Sequence, residues 1–421
     1  MIQSLKNSKF ELNDQTIQYM LFDLKTEGHH PNYIRHLIQY WHLHNLNIDL
    51  NVVVSPFFFS EHKDIVNLAD SYSLRKVRFI TISEQEAANL QSHNSSSSRL
   101  IRNFQEWNLL CKYATLLNTN HCLIMFLDTC ELPLALGLKP PCPTSGIYFR
   151  PTFHYSHFTN GRIPSTKERL QHLREKFYLS RTLKNPRMHK LFCLDPFVSS
   201  HINTLYKTDK AITLVDPVEI QTVSCLQIEE LRKKLGVQPD RRIFLLFGSI
   251  DSRKGIYKLI DALSKMPYDL CKQICFLIIG KVKPADQGLV ELELAKLRQH
   301  QPIQVITVSE FISDREVYSY FCLADAVMAV YQRHVGMSGI LLLAAATQKP
   351  VLSSDYGLMG ELVHHYCLGL AVDSTQPQKI SEGLIKLLTE PLEEIIDRNL
   401  MKQFAEQNSI EKFGATIFQS I

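Results

Sequence analysis

Nowhere among the 421 residues is there a run of about 20 apolar side chains, which excludes an ordinary membrane-spanning helix. The ten cysteines form no CxxC pair, so the commonest zinc and redox spacings are missing. Several of them, including Cys122, Cys193 and Cys275, lie inside apolar strand patterns and read as buried free thiols of a reducing compartment. The amino-terminal stretch MIQSLKNSKFELNDQ lacks the apolar core of a signal peptide. The expectation is a cytoplasmic protein, at most peripheral to a membrane. There is no internal repeat, and a net charge of +4 gives no reason to expect a nucleic-acid partner.

A chain of this length exceeds what one core usually supports, so two domains of roughly 200 residues are expected. The hydrophobic content of 45% is enough to fill two cores. The mild net charge conceals an asymmetry. Residues 1–210 hold 24 Lys/Arg against 17 Asp/Glu, and residues 211–421 hold 22 against 25. Most of the excess lies between Arg162 and Lys190, where nine basic residues meet two acidic ones. Ser165 and Glu168 there have the spacing of a capping box, opening a basic amphipathic helix to about Lys184. Leu170, Leu173 and Phe177 form its apolar stripe, with Lys167, Arg169, Arg174 and Lys176 around it. Such a helix suits an anionic acceptor or an anionic membrane surface, and equally a solvated face.

Strands and helices alternate along the whole chain. Gln18–Leu24 reads as a strand and Asn32–Asn45 as a helix opened by Pro31, with Gly28 as the single glycine of the intervening turn. One glycine does not make a dinucleotide fingerprint. Asp49–Val54 and Val77–Ile82 follow as strands, then a polar loop at Ser95–Ser98 and a helix at Trp107–Leu117. The buried strand His121–Leu127 ends at Asp128, and Gly146–Arg150, Lys190–Leu194 and Ala211–Val215 complete the first half. Arg242–Phe247, Gln273–Ile279, Ile303–Val308 and Ala326–Val330 are strands of the second. This order predicts an α/β protein of two doubly wound, Rossmann-like domains facing a cleft: residues 1–215, and residues 216–421 with a final helix that returns to the first domain.

Three stretches of the second half combine glycine with polar groups at strand ends. In Gly248–Gly255, GSIDSRKG, the glycines permit a tight turn, and Arg253 and Lys254 stand beside free amides at a helix start, a combination suited to a diphosphate. Ile278–Lys281, IIGK, ends a strand at Gly280. In Tyr331–Glu361, YQRHVGMSGILLLAAATQKPVLSSDYGLMGE, Gly336 and Gly339 allow close backbone approach, and Ser338 opens a helix without polar side chains.

Together these stretches resemble the GT-B glycosyltransferases, in particular the large retaining family (group 1, family 4-like) whose carboxyl domain binds a sugar nucleotide. Gly248, Lys254 and Gly255 match the family's G-R-x-x-x-x-K-G turn, and IIGK its next strand end. Gly336 and Ala344 match parts of E-G-F-G-x-x-x-x-E-A; Pro350, Val351, Ser354, Asp355, Gly357 and Glu361 match T-P-V-x-x-S-D-x-G-G-x-x-E. The resemblance covers about 150 residues of the carboxyl half, and Asp216–Val218 stands where the family has Asn-Gly-Val at its domain crossing. It departs at the diphosphate arginine, here Ser249, and at two glutamates, here Val335 and Leu343.

The resemblance implies a nucleoside-diphosphate sugar as substrate, no cofactor, no metal, retention at the transferred carbon and an acceptor it does not name. Donor contacts are expected from Gly248, Ser249, Arg253, Lys254, Gly280, His334, Gly336, Ser338, Gly339 and Glu361, with the base near Glu310–Ser313. His29, His30 and Asp128, in segments that follow core strands, are the acceptor-side candidates, with His30 and Asp128 as the catalytic ones. No third ligand accompanies His29 and His30 at a zinc spacing, and His364 and His365 fall on a solvated helix face. A catalytically reduced GT-B binding protein and a sugar-nucleotide 2-epimerase are the alternatives.

Overall fold

The computed structural model describes residues 17–72, 76–91, 95–158, 163–309, 312 and 314–420. Its strands are β1 (Ile17–Asp23), β2 (Ile48–Val54), β3 (Val77–Thr81), β4 (His121–Ile124), β5 (Thr144–Tyr148), β6 (Met188–Cys193) and β7 (Ala211–Thr213), then β8 (Arg242–Phe247), β9 (Ile274–Ile279), β10 (Gln304–Val308), β11 (Ala326–Ala329), β12 (Val351–Ser354) and β13 (Gly369–Val372). The first sheet has the order β3-β2-β1-β4-β5-β6-β7 and the second β10-β9-β8-β11-β12-β13. Helices connect successive parallel strands, and the central strands are buried along their length, as in β9, ICFLII. That unbroken apolar run is what a parallel strand covered on both faces requires.

Each sheet reverses its strand order once, between β1 and β4 in the first and between β8 and β11 in the second. Two crossovers leave in opposite directions at such a point, so a crevice opens beyond the strands' carboxyl ends. The segments after β8 and β11 are the GSIDSRKG turn and the Tyr331–Ser338 turn. Those after β1 and β4 lead to His30 and Asp128.

By contacts the chain divides into two compact units, one reaching Gly146 and including Lys184–His189, the other made of Ile147–Leu183 and Lys190–Ser420. In the second unit Asn408 joins the strand-free stretch after β7: its backbone oxygen accepts from Val218 N at 2.8 Å and its Oδ1 from Asp216 N at 3.1 Å. Among the described residues no helix is long and apolar enough to cross a membrane.

The structure corrects two sequence expectations here. Ser95–Ser98 is not a loop, because Ser95 caps the long helix Ser96–Leu116, its Oγ accepting from Ser98 N at 3.0 Å. A run of serines suggests irregular chain, but the first serine is a good cap and the helix gains its stability from packing further on. The strand expected to Leu127 ends at Ile124, where pairing with β1 ends, and Asp128 lies in a 3-10 turn, Leu127–Thr129. Leu127 packs so closely under β5 that a Cβ on Gly146 would lie 2.8 Å from its Cδ1.

His121, at the start of β4, gives a pH dependence. Its Nε2 lies 3.0 Å from Ser145 Oγ, its ring stacks on Tyr19, and burial, aided by nearby His189, holds its pKa down to about 4. In the unfolded chain it titrates near the ordinary value of about 6.5. Between these values the unfolded state binds more protons. Stability of about 3 kcal/mol is therefore present above pH 6.5 and lost as the pH falls towards 4. Urea unfolding of wild type should weaken over that window more steeply than unfolding of His121→Gln; parallel pH profiles would refute the assignment.

Candidate functional site

The carboxyl edge of the second sheet is tied together by glycines. Gly248 (φ 107°) and Gly280 (φ 122°) end β8 and β9 so close that a Cβ on Gly280 would lie 2.1 Å from the Gly248 oxygen. No side chain fits at that contact, and the left-handed φ values suit glycine alone. The two turns remain paired beyond the sheet, with Ile250 N donating to Lys281 O at 3.0 Å and Lys283 N to Ile250 O at 2.9 Å.

Between Gly248 and Gly255 the chain makes a 3-10 turn, Ser252–Lys254, before the helix Ile256–Ser264 begins. Arg253 and Lys254 thus precede the helix rather than occupy its first turn. The reason is local: Asp251 Oδ1 accepts from Lys254 N at 3.0 Å and caps the tighter turn, and Gly255 (φ 78°) then resets the direction. Burial opposes ionisation of Asp251, but the Lys283 ammonium at 2.7 Å and the Lys254 amide outweigh it and lower its pKa.

Lys254 is buried, and its Nζ donates to the Phe247 carbonyl at 3.0 Å and to the Tyr331 hydroxyl. The ammonium lies directly beneath the Gly248 turn, 3.1 Å from where a Cβ on that glycine would stand. Arg253 is fixed from two sides: its backbone oxygen accepts from Gln332 N at 2.8 Å, and its Nη1 lies 3.4 Å from His334 Nδ1. Burial lowers the His334 pKa to about 4, with Arg253, Lys254 and Arg150 adding to the effect. The imidazole is therefore neutral near pH 7. Its Nε2 donates to Met337 O at 3.3 Å, which leaves Nδ1 to accept from Arg253.

The turn after β11 completes the edge. A Cβ on Gly255 would lie 2.1 Å from the Val330 oxygen, so that turn packs directly on the GSIDSRKG turn. Gly336 (φ 93°) donates its N–H to the Tyr155 hydroxyl at 3.1 Å, and Ser338 opens the helix Gly339–Ala346 without capping it by its side chain. Helix amides left without a side-chain cap suit an anion. After β12, Ser354 Oγ accepts from Tyr356 N at 3.2 Å and from Ser374 Oγ at 3.1 Å, and Glu361 lies half-buried on the helix Gly357–His365. The expected donor residues Gly248, Arg253, Lys254, Gly280, His334, Gly336 and Ser338 thus meet along one sheet edge. Ser249 is exposed beside them, while Gly339 and Glu361 sit on the helices that follow. Of the segment expected to hold the base, Glu310, Phe311 and Ser313 lie outside the described residues.

In the first sheet His30 opens the helix His30–Leu43, its Nδ1 2.7 Å from Asp23 Oδ2 at the end of β1, with both side chains buried. It does not cap that helix: His29 holds the cap position, also without a side-chain bond. Asp128 is half-buried in its 3-10 turn. His364 and His365 are exposed, the second edge-on to Phe197.

A second buried pair was not foreseen. His154 follows β5, Asp195 follows β6, and Nε2 lies 2.9 Å from Asp195 Oδ2; His154 Nδ1 has no hydrogen-bond partner among the described residues. The adjacent Tyr155 is the acceptor for Gly336 N, and its burial raises its hydroxyl pKa well above the ordinary value. The only sequence signals were the aromatic and histidine run Phe149–Phe158 after one strand and the Asp195-Pro196 that closes the next.

Residues 227–408 match the family described as Glycosyl transferases group 1. A curated relative from Bacillus subtilis (strain 168), "Putative glycosyltransferase YtcC", is 24% identical over 165 residues, which is 38% of this chain and 39% of that protein. The chain thus matches well under half the length of that relative. A glycosyltransferase from Rickettsia africae ESF-5 superposes with a TM-score of 0.64 at 15% identity, over 96% of this chain and 97% of that one. Anabaena Alr3699/HepE in complex with UDP gives 0.66 at 13% identity, over 96% and 99%. At such identities the likeness is one of fold. The two doubly wound sheets are those of the GT-B architecture that the carboxyl motifs resemble.

Proposed function

We propose that the protein transfers a sugar from a nucleoside-diphosphate sugar to an acceptor, with retention at the transferred carbon and without a metal ion. The observation that carries this reading is the convergence of Lys254, Arg253 and the Gly336–Ser338 turn at the second strand-order reversal. Bond breaking leaves negative charge on the diphosphate. Two cations and the opening amides of the helix Gly339–Ala346 offset that charge from fixed positions, which lowers the barrier without reorganisation. In this reading the departing diphosphate takes up the acceptor's proton, so no strong base is needed. His30, oriented by Asp23, and Asp128 stand on the acceptor side, and the complex of Anabaena Alr3699/HepE with UDP supports a nucleotide as ligand.

One observation favours a second reading, a GT-B protein that binds nucleotide but has lost transfer. Val335 and Leu343, which replace the family's glutamates, are packed against the second core rather than left as polar contacts for a sugar or ribose. A thermal-shift series with UDP, GDP, ADP and their sugars tests both. A nucleotide at one hundred times its Kd should stabilise the fold by about 2.7 kcal/mol, and the base that does so is the donor's. Stabilisation with release of free nucleoside diphosphate from the sugar nucleotide supports transfer; stabilisation without release supports the reduced protein. No shift with any of them overturns both.

A further inference from the structure

The helix Thr166–Leu183 presents to solvent a face that a soluble surface helix does not need. Its capping box forms as the sequence suggests, with Glu168 Oε2 accepting from Ser165 N at 2.8 Å and Ser165 Oγ accepting from Glu168 N at 3.4 Å. Its inner face is fixed by the buried Leu179, Thr182 and Leu183 and by Glu175, which accepts from Thr152 N at 2.8 Å, Thr152 Oγ1 at 2.6 Å and the Tyr148 hydroxyl at 2.9 Å. With the inner side set, Leu170, Leu173 and Phe177 point outward, 70%, 66% and 60% exposed. Ile163, just before the helix, is 86% exposed.

At about 100° per residue, Leu170, Leu173 and Phe177 form one narrow stripe. Lys167, Arg174 and Arg181, seven residues apart, run along one flank of it, and Arg169 along the other, while Lys176 is half-buried with its ammonium 5.7 Å from the centre of the Phe153 ring. Both acids of the helix, Glu168 and Glu175, belong to the inner side, so the outward arc carries apolar and cationic side chains with no carboxylate.

We propose that this face docks the protein on an anionic lipid bilayer, the helix lying in the plane of the interface. Leucine and phenylalanine side chains enter the boundary between head groups and acyl chains, while the flanking lysine and arginine stems reach up to the lipid phosphates. The arrangement fits a bilayer better than a nucleic acid, because a phosphate backbone would pair with the cations but leave the stripe in water. It fits a second copy of the chain poorly, since two such faces would bring like charges together. The docking face shares no residue with the expected donor contacts, and the proposal holds whether or not the protein transfers sugar.

Sedimentation with phosphatidylcholine vesicles, with and without phosphatidylglycerol, tests the contact. Wild type should pellet with the anionic vesicles at low salt and largely release at high salt. The double variant Leu173→Asp, Phe177→Asp should bind at least about tenfold more weakly while keeping the wild-type melting temperature, since both side chains are already exposed. Lys167→Glu with Arg174→Glu should have a similar effect. Absence of pelleting with anionic vesicles at low salt overturns the proposal. So does pelleting that the stripe variant does not reduce, or a stripe variant whose effect is on self-association alone. A preference for duplex DNA over vesicles would assign the basic face to a nucleic acid instead.

Discussion

Replacing Lys254 with alanine is expected to weaken nucleoside-diphosphate binding roughly ten- to a hundredfold, the equivalent of about 1.5–3 kcal/mol for a charged hydrogen bond. The size of the effect follows from how the ammonium is held. Its two protein partners, the Phe247 carbonyl and the Tyr331 hydroxyl, are neutral, and the nearby Asp251 carboxylate is occupied by Lys283 and the Lys254 backbone amide. A buried cation held by dipoles alone keeps most of its charge for a ligand, and its place beneath the Gly248 turn fixes where that ligand must be. The Lys254→Ala protein should be compared with wild type by titration calorimetry, after its melting temperature shows that the Tyr331 side has not collapsed. Equal affinities in the folded variant would remove Lys254 from the donor site.

Much of this site could be read in the sequence because it is built from short segments at strand ends. The apolar run of β9, ICFLII, identifies a buried parallel strand without tertiary information, and a glycine at its end is where the backbone must turn sharply. The close passage of Gly280 against Gly248, by contrast, joins residues far apart in the chain, so only the two glycines themselves were legible. The same limit hid the pair of His154 and Asp195, which are 41 residues apart and meet only because β5 and β6 end side by side. The 3-10 turn at Ser252–Lys254 was obscured for a different reason. Asp251 can cap either kind of turn, and only the positive φ of Gly255 decides where the helix starts. The outward direction of Leu170, Leu173 and Phe177 was also undecided, because an apolar stripe has the same spacing whether it meets a core or solvent.

Gly336→Val is expected to abolish nucleotide binding in the concentration range where wild type saturates, a loss of more than about a hundredfold if phosphate contacts are displaced. Gly336 has φ 93°, where a β-branched residue is strained, and any Cβ there would lie 2.7 Å from the Phe149 oxygen. The collision is with backbone, so the turn itself has to move. Movement breaks the bond from Gly336 N to the buried Tyr155 hydroxyl and carries Ser338 and the first amides of the helix Gly339–Ala346 away from their positions. Those amides act on an anion only at hydrogen-bond distance, so a displacement of about an ångström removes most of their effect. Gly137→Val provides the control: Gly137 has φ 88°, so the strain is of the same kind, but a Cβ there meets nothing within 4 Å. Both variants should melt below wild type, and only Gly336→Val should lose the nucleotide-induced rise in melting temperature. A folded Gly336→Val protein that binds nucleoside diphosphate as wild type does would place the donor away from this turn, whatever Lys254 contributes.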